Sequence, residues 1–229
     1  MGLSKLRIIY NYFLWSLKIR KILPKDLIAK VKINENNDEL INIKKENDFF
    51  FSKELSKEKK VFLRKTVFNK LQEIQKKLPN NTNLKIYSAF RPKKIQIEMW
   101  EKELKKNKKL FKNKTKQEIE QITRKEIADP RQGFGGHQTG GAIDISLCDD
   151  KGKDFNMGTN WLEFNEKTIT SCKILSKEEK ENRKLLLNLM AKQGFKNYPK
   201  EWWHFSYGDQ MWGAYSKRKS CFYGEAKEK

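Results

Sequence analysis

The clearest alternation in the chain is AIDISL, residues 142–147. Ala142, Asp144 and Ser146 share one face of an expected strand, and Ile143, Ile145 and Leu147 the other, the core-facing one. A second short strand is expected at LKIYSAF, 84–90, and a last one at YPKEWWHFSYG, 198–208. Helical spacing dominates elsewhere. Val61, Phe62, Val67, Phe68, Leu71, Ile74 and Leu78 form a stripe that predicts one helix over 54–78, closed by the turn residues PNNTN at 79–83. Pro92 opens a helix through KKIQIEMWEKELKKNKKLF, and TKQEIEQITRKEIA forms another that ends before Pro130. The stretch 177–193 is a helix stopped by Gly194. Helices flank the strands without regular βαβ units, so the expected fold class is α+β, a single domain with a small, mostly antiparallel sheet.

Composition changes this picture little. The 229 residues carry 50 Lys+Arg against 29 Asp+Glu, a net charge of +21. Only eight of the basic residues are Arg, and the lysines recur on polar helix faces, so the charge reads as solvated surface and no nucleic-acid partner is expected. A mildly anionic polymer or membrane surface is compatible with it. Cys148, Cys172 and Cys221 make neither a disulfide framework nor a C-x-x-C knuckle, which points to a reducing compartment. Residues 7–22, RIIYNYFLWSLKIRKI, are apolar and basic, interrupted by Asn11 and Lys18, and too short to span a bilayer. No cleavage-site pattern follows them. The expectation is a helix packed on the domain, with a basic segment lying weakly on an anionic membrane as the alternative. Cytoplasmic location is expected, with a membrane-peripheral or periplasmic one as alternatives.

Two positions carry chemistry. The chain has only two histidines. His137 lies among glycines in GGHQTGGAID, seven residues before Asp144, and His204 follows Glu201 in EWWH. Two histidines and an aspartate can hold a catalytic zinc with one position open to water, and a nearby carboxylate can take that water's proton. Structural, hydrogen-bonded histidines are the competing reading at this level. Glu201 and His204 differ by three, so a regular strand would send them to opposite faces; a bulge or irregular backbone at 201–203 is therefore expected. Trp202 and Trp203 would flank the site, one buried and one lining the pocket.

The motifs H-x-x-G-x-A-x-D at 137–144, EWWH at 201–204 and SAFRP at 88–92, in that order, are similar to the zinc D-Ala-D-Ala dipeptidases of the VanX type, relatives of the VanY-type D,D-carboxypeptidases. MGT at 157–159 and the helix and strand over 182–205 extend the resemblance to roughly residues 84–207. It implies the Hedgehog/D,D-peptidase-like fold, with residues 1–50 as a partly helical extension packed on or preceding a catalytic domain at 51–229. It further implies one Zn²⁺ on His137, Asp144 and His204, Glu201 as general base, and Arg91 stabilising the anionic intermediate. The expected reaction is hydrolysis of D-Ala-D-Ala by a zinc-bound water, in bacterial cell-wall peptide metabolism. Peptidase action on larger peptidoglycan stems, as a D,D-carboxypeptidase or endopeptidase, and a zinc-stabilised binding module without turnover are the alternatives. Three departures bear on specificity. Gly135 stands where the family has a substrate-holding serine. Leu162 replaces the acid that meets the substrate's amino group, with Glu163 one position on. Ser88 replaces an acid three residues before Arg91. Gly135, Glu163 and Trp203 are therefore the expected substrate-facing positions.

Overall fold

A computed structural model describes residues 22–45, 49–132 and 135–227. The apolar, basic segment 7–22 lies outside these apart from its last residue, Ile22. In chain order the elements are α1 (Lys25–Ile28), β1 (Lys32–Ile33), β2 (Leu40–Asn42), β3 (Phe50–Phe51), α2 (Lys53–Ser56), β4 (Phe62–Arg64), α3 (Lys65–Gln75), β5 (Asn83–Ser88), α4 (Lys93–Leu110), α5 (Lys116–Glu126), β6 (Ala142–Cys148), α6 (Lys177–Lys192), β7 (Lys196–Asn197), β8 (His204–Ser206), α7 (Gln210–Tyr215) and β9 (Ser220–Cys221). No described helix is long and apolar enough to cross a membrane.

The central sheet has the order β3-β5-β6-β8-β7. Only its β3–β5 edge is parallel; the other three pairs are antiparallel. The chain thus has the α+β architecture and mostly antiparallel sheet that its alternation predicts. Strand β6 lies in the middle, and all seven of its residues are buried. Ile143, Ile145 and Leu147 join Leu84 and Ile86 of β5 in a core closed by Val67, Phe68, Leu71 and Ile74 of α3 and Leu186 and Met190 of α6. The opposite sheet face carries Asp144 and is roofed by loops.

Two elements differ from expectation. The apolar stripe over 54–78 is not one helix. Helix α2 ends at Ser56, and Phe62–Arg64 forms a strand paired with Leu40–Asn42 before α3 begins. A lysine-rich break at 57–60 and a distant partner strand override the local period. The last expected strand is also shorter, confined to 204–206, because 198–203 folds as tight turns. The N–H of Glu201 donates to the Tyr198 carbonyl and that of His204 to the Glu201 carbonyl. The other helices start and stop as read, with capping boxes at Thr115/Glu118 and Ser176/Glu179 and a left-handed Gly194 after α6.

Residues 22–45 pack against both ends of the remaining chain. Strand β1 pairs with β9 and β2 with β4. Buried Arg64 knits these together. Its Nε donates to the Thr139 carbonyl at 2.7 Å, one Nη to the Asp38 carbonyl at 2.5 Å and the other to Glu35 at 3.2 Å, over the Tyr223 ring. Arg64 thereby fixes the end of the glycine-rich loop. That loop is packed rather than loose. Gly140 sits at φ +71°, and a Cβ on Gly136 would fall 2.5 Å from Asp209 Oδ2 and 2.8 Å from the Ala142 Cβ. Gly135 differs, with φ −85° and open space where a side chain would go.

Two stability outcomes follow, both readable by urea unfolding. Gly135→Ser should change stability by less than ~0.5 kcal/mol, whereas Gly136→Ala should cost roughly 1–3 kcal/mol through overpacking. Arg64→Met should cost about 2–4 kcal/mol, because it strands the carbonyls of Thr139 and Asp38.

Candidate metal centre

Strand register sets the first half of the site. Asp144 is directly opposite His204 across β6–β8, so the two side chains share a face, and His204 Nδ1 lies 2.9 Å from Asp144 Oδ1. On the other side Asp144 is opposite Ser88, after a register shift between Ile86 and Ser88. That bulge also leaves Tyr87 near the site, its ring 5.3 Å from that of Trp161.

His137 arrives from the loop. It occupies a one-turn 3-10 helix, Gly136–Thr139. Two hydrogen bonds clasp it to the end of β5: its carbonyl accepts from the Arg91 N–H at 3.0 Å, and its Nδ1 lies 2.9 Å from the Ala89 carbonyl. A carbonyl can only accept, so Nδ1 carries the hydrogen and Nε2 holds a lone pair. That lone pair faces Asp144 Oδ1 at 3.2 Å. Two acceptors this close need a cation between them.

Burial and neighbouring charge set the protonation of these three residues. Burial pushes His137 down, and the Asp144 charge only partly offsets this, so the imidazole resists holding the extra proton. Burial also disfavours charge on His204, but its hydrogen bond to Asp144 outweighs that and moves it up. For Asp144, burial works towards protonation, yet the two imidazoles win and hold its carboxyl well below the usual carboxylate range. One donor atom from each of the three residues lies within 4.8 Å of the others. Donors about 2.0–2.2 Å from one tetrahedral zinc stand ~3.3–3.6 Å apart, so a buried nitrogen, nitrogen and oxygen set of this spread fits that ion.

Two further groups act electrostatically on this cluster. Glu201 keeps a narrow window to solvent, but burial raises its carboxyl, and among the described residues its carboxylate accepts no hydrogen bond. The tight turns at 198–203 let it share a site with His204, meeting the expectation of irregular backbone there. Arg91 is held by neutral partners, its guanidinium donating to Ser88 Oγ at 2.9 Å and to Gln96 Oε1 at 3.0 Å. It makes no ion pair among the described residues, so its charge stays uncancelled; burial lowers its pKa, with Asp144 and Glu201 opposing.

The three expected substrate-facing positions separate. Gly135 is exposed beside His137. Glu163 is exposed and already engaged, accepting from the Asn160 backbone and side chain and from the Asn165 side chain. Its neighbour Leu162 points outward at φ +62°. Trp203 is fully buried, as is Trp202 at 3%, so neither indole lines an accessible wall; this corrects the expectation that one of them does. Trp203 follows the core face of β8, against Phe164 and Trp202. The aromatic residue that does meet the site is Trp161, whose Nε1–H donates to Asp144 Oδ2 at 3.2 Å. Sequence reading passed over it, because nothing in its spacing ties it to a strand 17 residues earlier.

The chain is also similar to known proteins. The chain is 36% identical over 105 residues to a D-alanyl-D-alanine dipeptidase of Synechocystis, covering 38% of this chain and 42% of that protein. It is 27% identical over 127 residues to the D-alanyl-D-alanine dipeptidase of Escherichia coli, covering 53% of each. These alignments thus span about half the length of the curated relatives. Among solved structures, VanYB in complex with D-alanine-D-alanine is similar at 16% identity and a TM-score of 0.43, over 83% of this chain and 94% of that one. The model of the M15 peptidase family, described as D-Ala-D-Ala dipeptidase, matches residues 44–225, and the chain belongs to that family.

Proposed function

We propose that this chain is a zinc-dependent peptidase that hydrolyses D-Ala-D-Ala or a related cell-wall peptide, with His137, Asp144 and His204 holding one Zn²⁺. The observation that carries this reading is the convergence of His137 Nε2 and His204 Nδ1 on a single buried oxygen of Asp144. Family membership and the dipeptidase names of its relatives support the substrate class.

Bound there, zinc would acidify a water molecule towards a pKa of ~7 and polarise the peptide carbonyl. The chain's own residues would do the rest. Glu201 is the proton carrier: raised by burial and with no hydrogen bond to its carboxylate among the described residues, it accepts the water's proton and delivers it to the departing amine as the C–N bond breaks. Arg91, in no ion pair among the described residues and steadied by Ser88 and Gln96, supplies fixed positive charge to the carbonyl oxygen as it becomes anionic. Its backbone N–H bonds His137, so the arginine and the first histidine are set by one segment.

A second reading concerns substrate length. The carboxylate of Glu163 is committed to Asn160 and Asn165, and Leu162 presents an alkyl group outward. Neither offers a ready counter-ion to a free amino group. This favours a substrate whose amino end is already in amide linkage, as in a D,D-carboxypeptidase or endopeptidase acting on stem peptides.

Purified protein should bind one zinc per chain, and chelation should abolish hydrolysis and lower the melting temperature. Glu201→Gln should cut kcat by ~10²–10⁴-fold with zinc content unchanged, and Arg91→Met by ~10²–10³-fold. A Glu201→Gln enzyme of full activity would refute the assigned mechanism. Release of D-alanine from the dipeptide and from a D-Ala-D-Ala-ending pentapeptide separates the two substrate readings: a higher kcat/KM on the pentapeptide supports the second, and a higher one on the dipeptide supports the first.

A further inference from the structure

The Asp144 carboxylate is divided between two sets of neighbours. Its Oδ1 faces both imidazoles, 3.2 Å from His137 Nε2 and 2.9 Å from His204 Nδ1. Its Oδ2 accepts the indole N–H of Trp161 at 3.2 Å. That donor comes from a loop outside the sheet, so the division depends on how firmly the loop is held.

It is held on every side. Arg183 of α6 reaches across and donates to the carbonyls of Met157 at 2.7 Å, Lys167 at 2.6 Å and Ile169 at 2.9 Å, bracketing the loop before and after Trp161. Trp202 Nε1 donates to Thr159 Oγ1 at 2.8 Å. Glu163 ties Asn160 to Asn165 across the loop itself. The Trp161 ring lies against Tyr87 at 5.3 Å and a 32° tilt, and the Tyr87 hydroxyl donates to Asp154. The stack sets the plane of the indole, and the loop sets its direction.

We propose that Trp161 is a positioning residue that occupies one oxygen of Asp144, so that the carboxylate turns a single oxygen to the metal. The inference rests on the reading of His137, Asp144 and His204 as a zinc site. An indole N–H only donates, so it can bond Oδ2 solely as an acceptor and fixes the carboxylate's rotation. Without it, Oδ2 stays buried with no other hydrogen-bond partner among the described residues, and the carboxylate is free to turn. Outer hydrogen bonds of this kind are worth about 10–100-fold in metal affinity.

Trp161→Phe keeps a ring on Tyr87 and removes only the N–H. Its zinc Kd, measured by chelator competition on the full chain at a temperature well below the melting transitions of both proteins, should rise roughly 10–100-fold. Trp161→Gln, whose side-chain N–H stands the same number of bonds from Cβ, should recover part of that affinity, which a purely structural role for the ring would not allow. A Trp161→Phe Kd within twofold of the unaltered protein, or no recovery in Trp161→Gln, would overturn the proposal. Failure of the unaltered protein to bind zinc would instead overturn the zinc-site reading on which it rests.

Discussion

Everything at this site depends on one ionised carboxylate kept in a buried place. Asp144 is 4% exposed, in the middle strand of the sheet, and burial alone would drive it to take up a proton. It stays charged with the help of the His204 hydrogen bond and the Trp161 indole N–H. The same arrangement creates a deficit of positive charge, since the lone pair of neutral His137 faces a carboxylate oxygen at 3.2 Å. Burial disfavours protonated His137, and the neutral imidazole is the form that can ligate a metal.

The scaffold is organised to hold that carboxylate's neighbours still. The β6–β8 register brings His204 opposite Asp144 with no loop involved. His137 cannot be placed by register, so it is placed by contacts. Arg64 secures the Thr139 carbonyl, and the ends of β5 clasp His137 through Ala89 and Arg91. Arg183 does for the Trp161 loop what Arg64 does for the His137 loop: each buried guanidinium spends its donors on backbone carbonyls of an irregular segment. Irregular backbone needs partners for its polar groups, and a long, branched cation provides several at once.

Legibility in the sequence followed the range of the interactions. Strand β6 was readable because Ile143, Ile145 and Leu147 alternate with Asp144, and α5 and α6 because the signals that stop them, Pro130 and Gly194, are local. The family motifs led to Arg91, His137, Asp144, Glu201 and His204, and the fold brings these residues into one region. The split of 54–78 into α2, β4 and α3 was not readable, because the partner of β4 is Leu40–Asn42, some twenty residues away. Trp203 looked like a pocket residue by adjacency to His204, but the turns over 198–203 direct it into the core. Trp161 went unseen for the converse reason. Its role comes from a loop folding over the sheet, and no periodicity encodes that.

The central claim is the identity of the metal's donors, and X-ray absorption at the zinc edge of the loaded protein reads these directly. The account predicts a first shell of nitrogen and oxygen at about 2.0–2.2 Å, with the outer-shell pattern of two imidazoles and no sulfur. A sulfur shell at ~2.3 Å, placing zinc on cysteine, or a shell with fewer than two imidazoles, would contradict it.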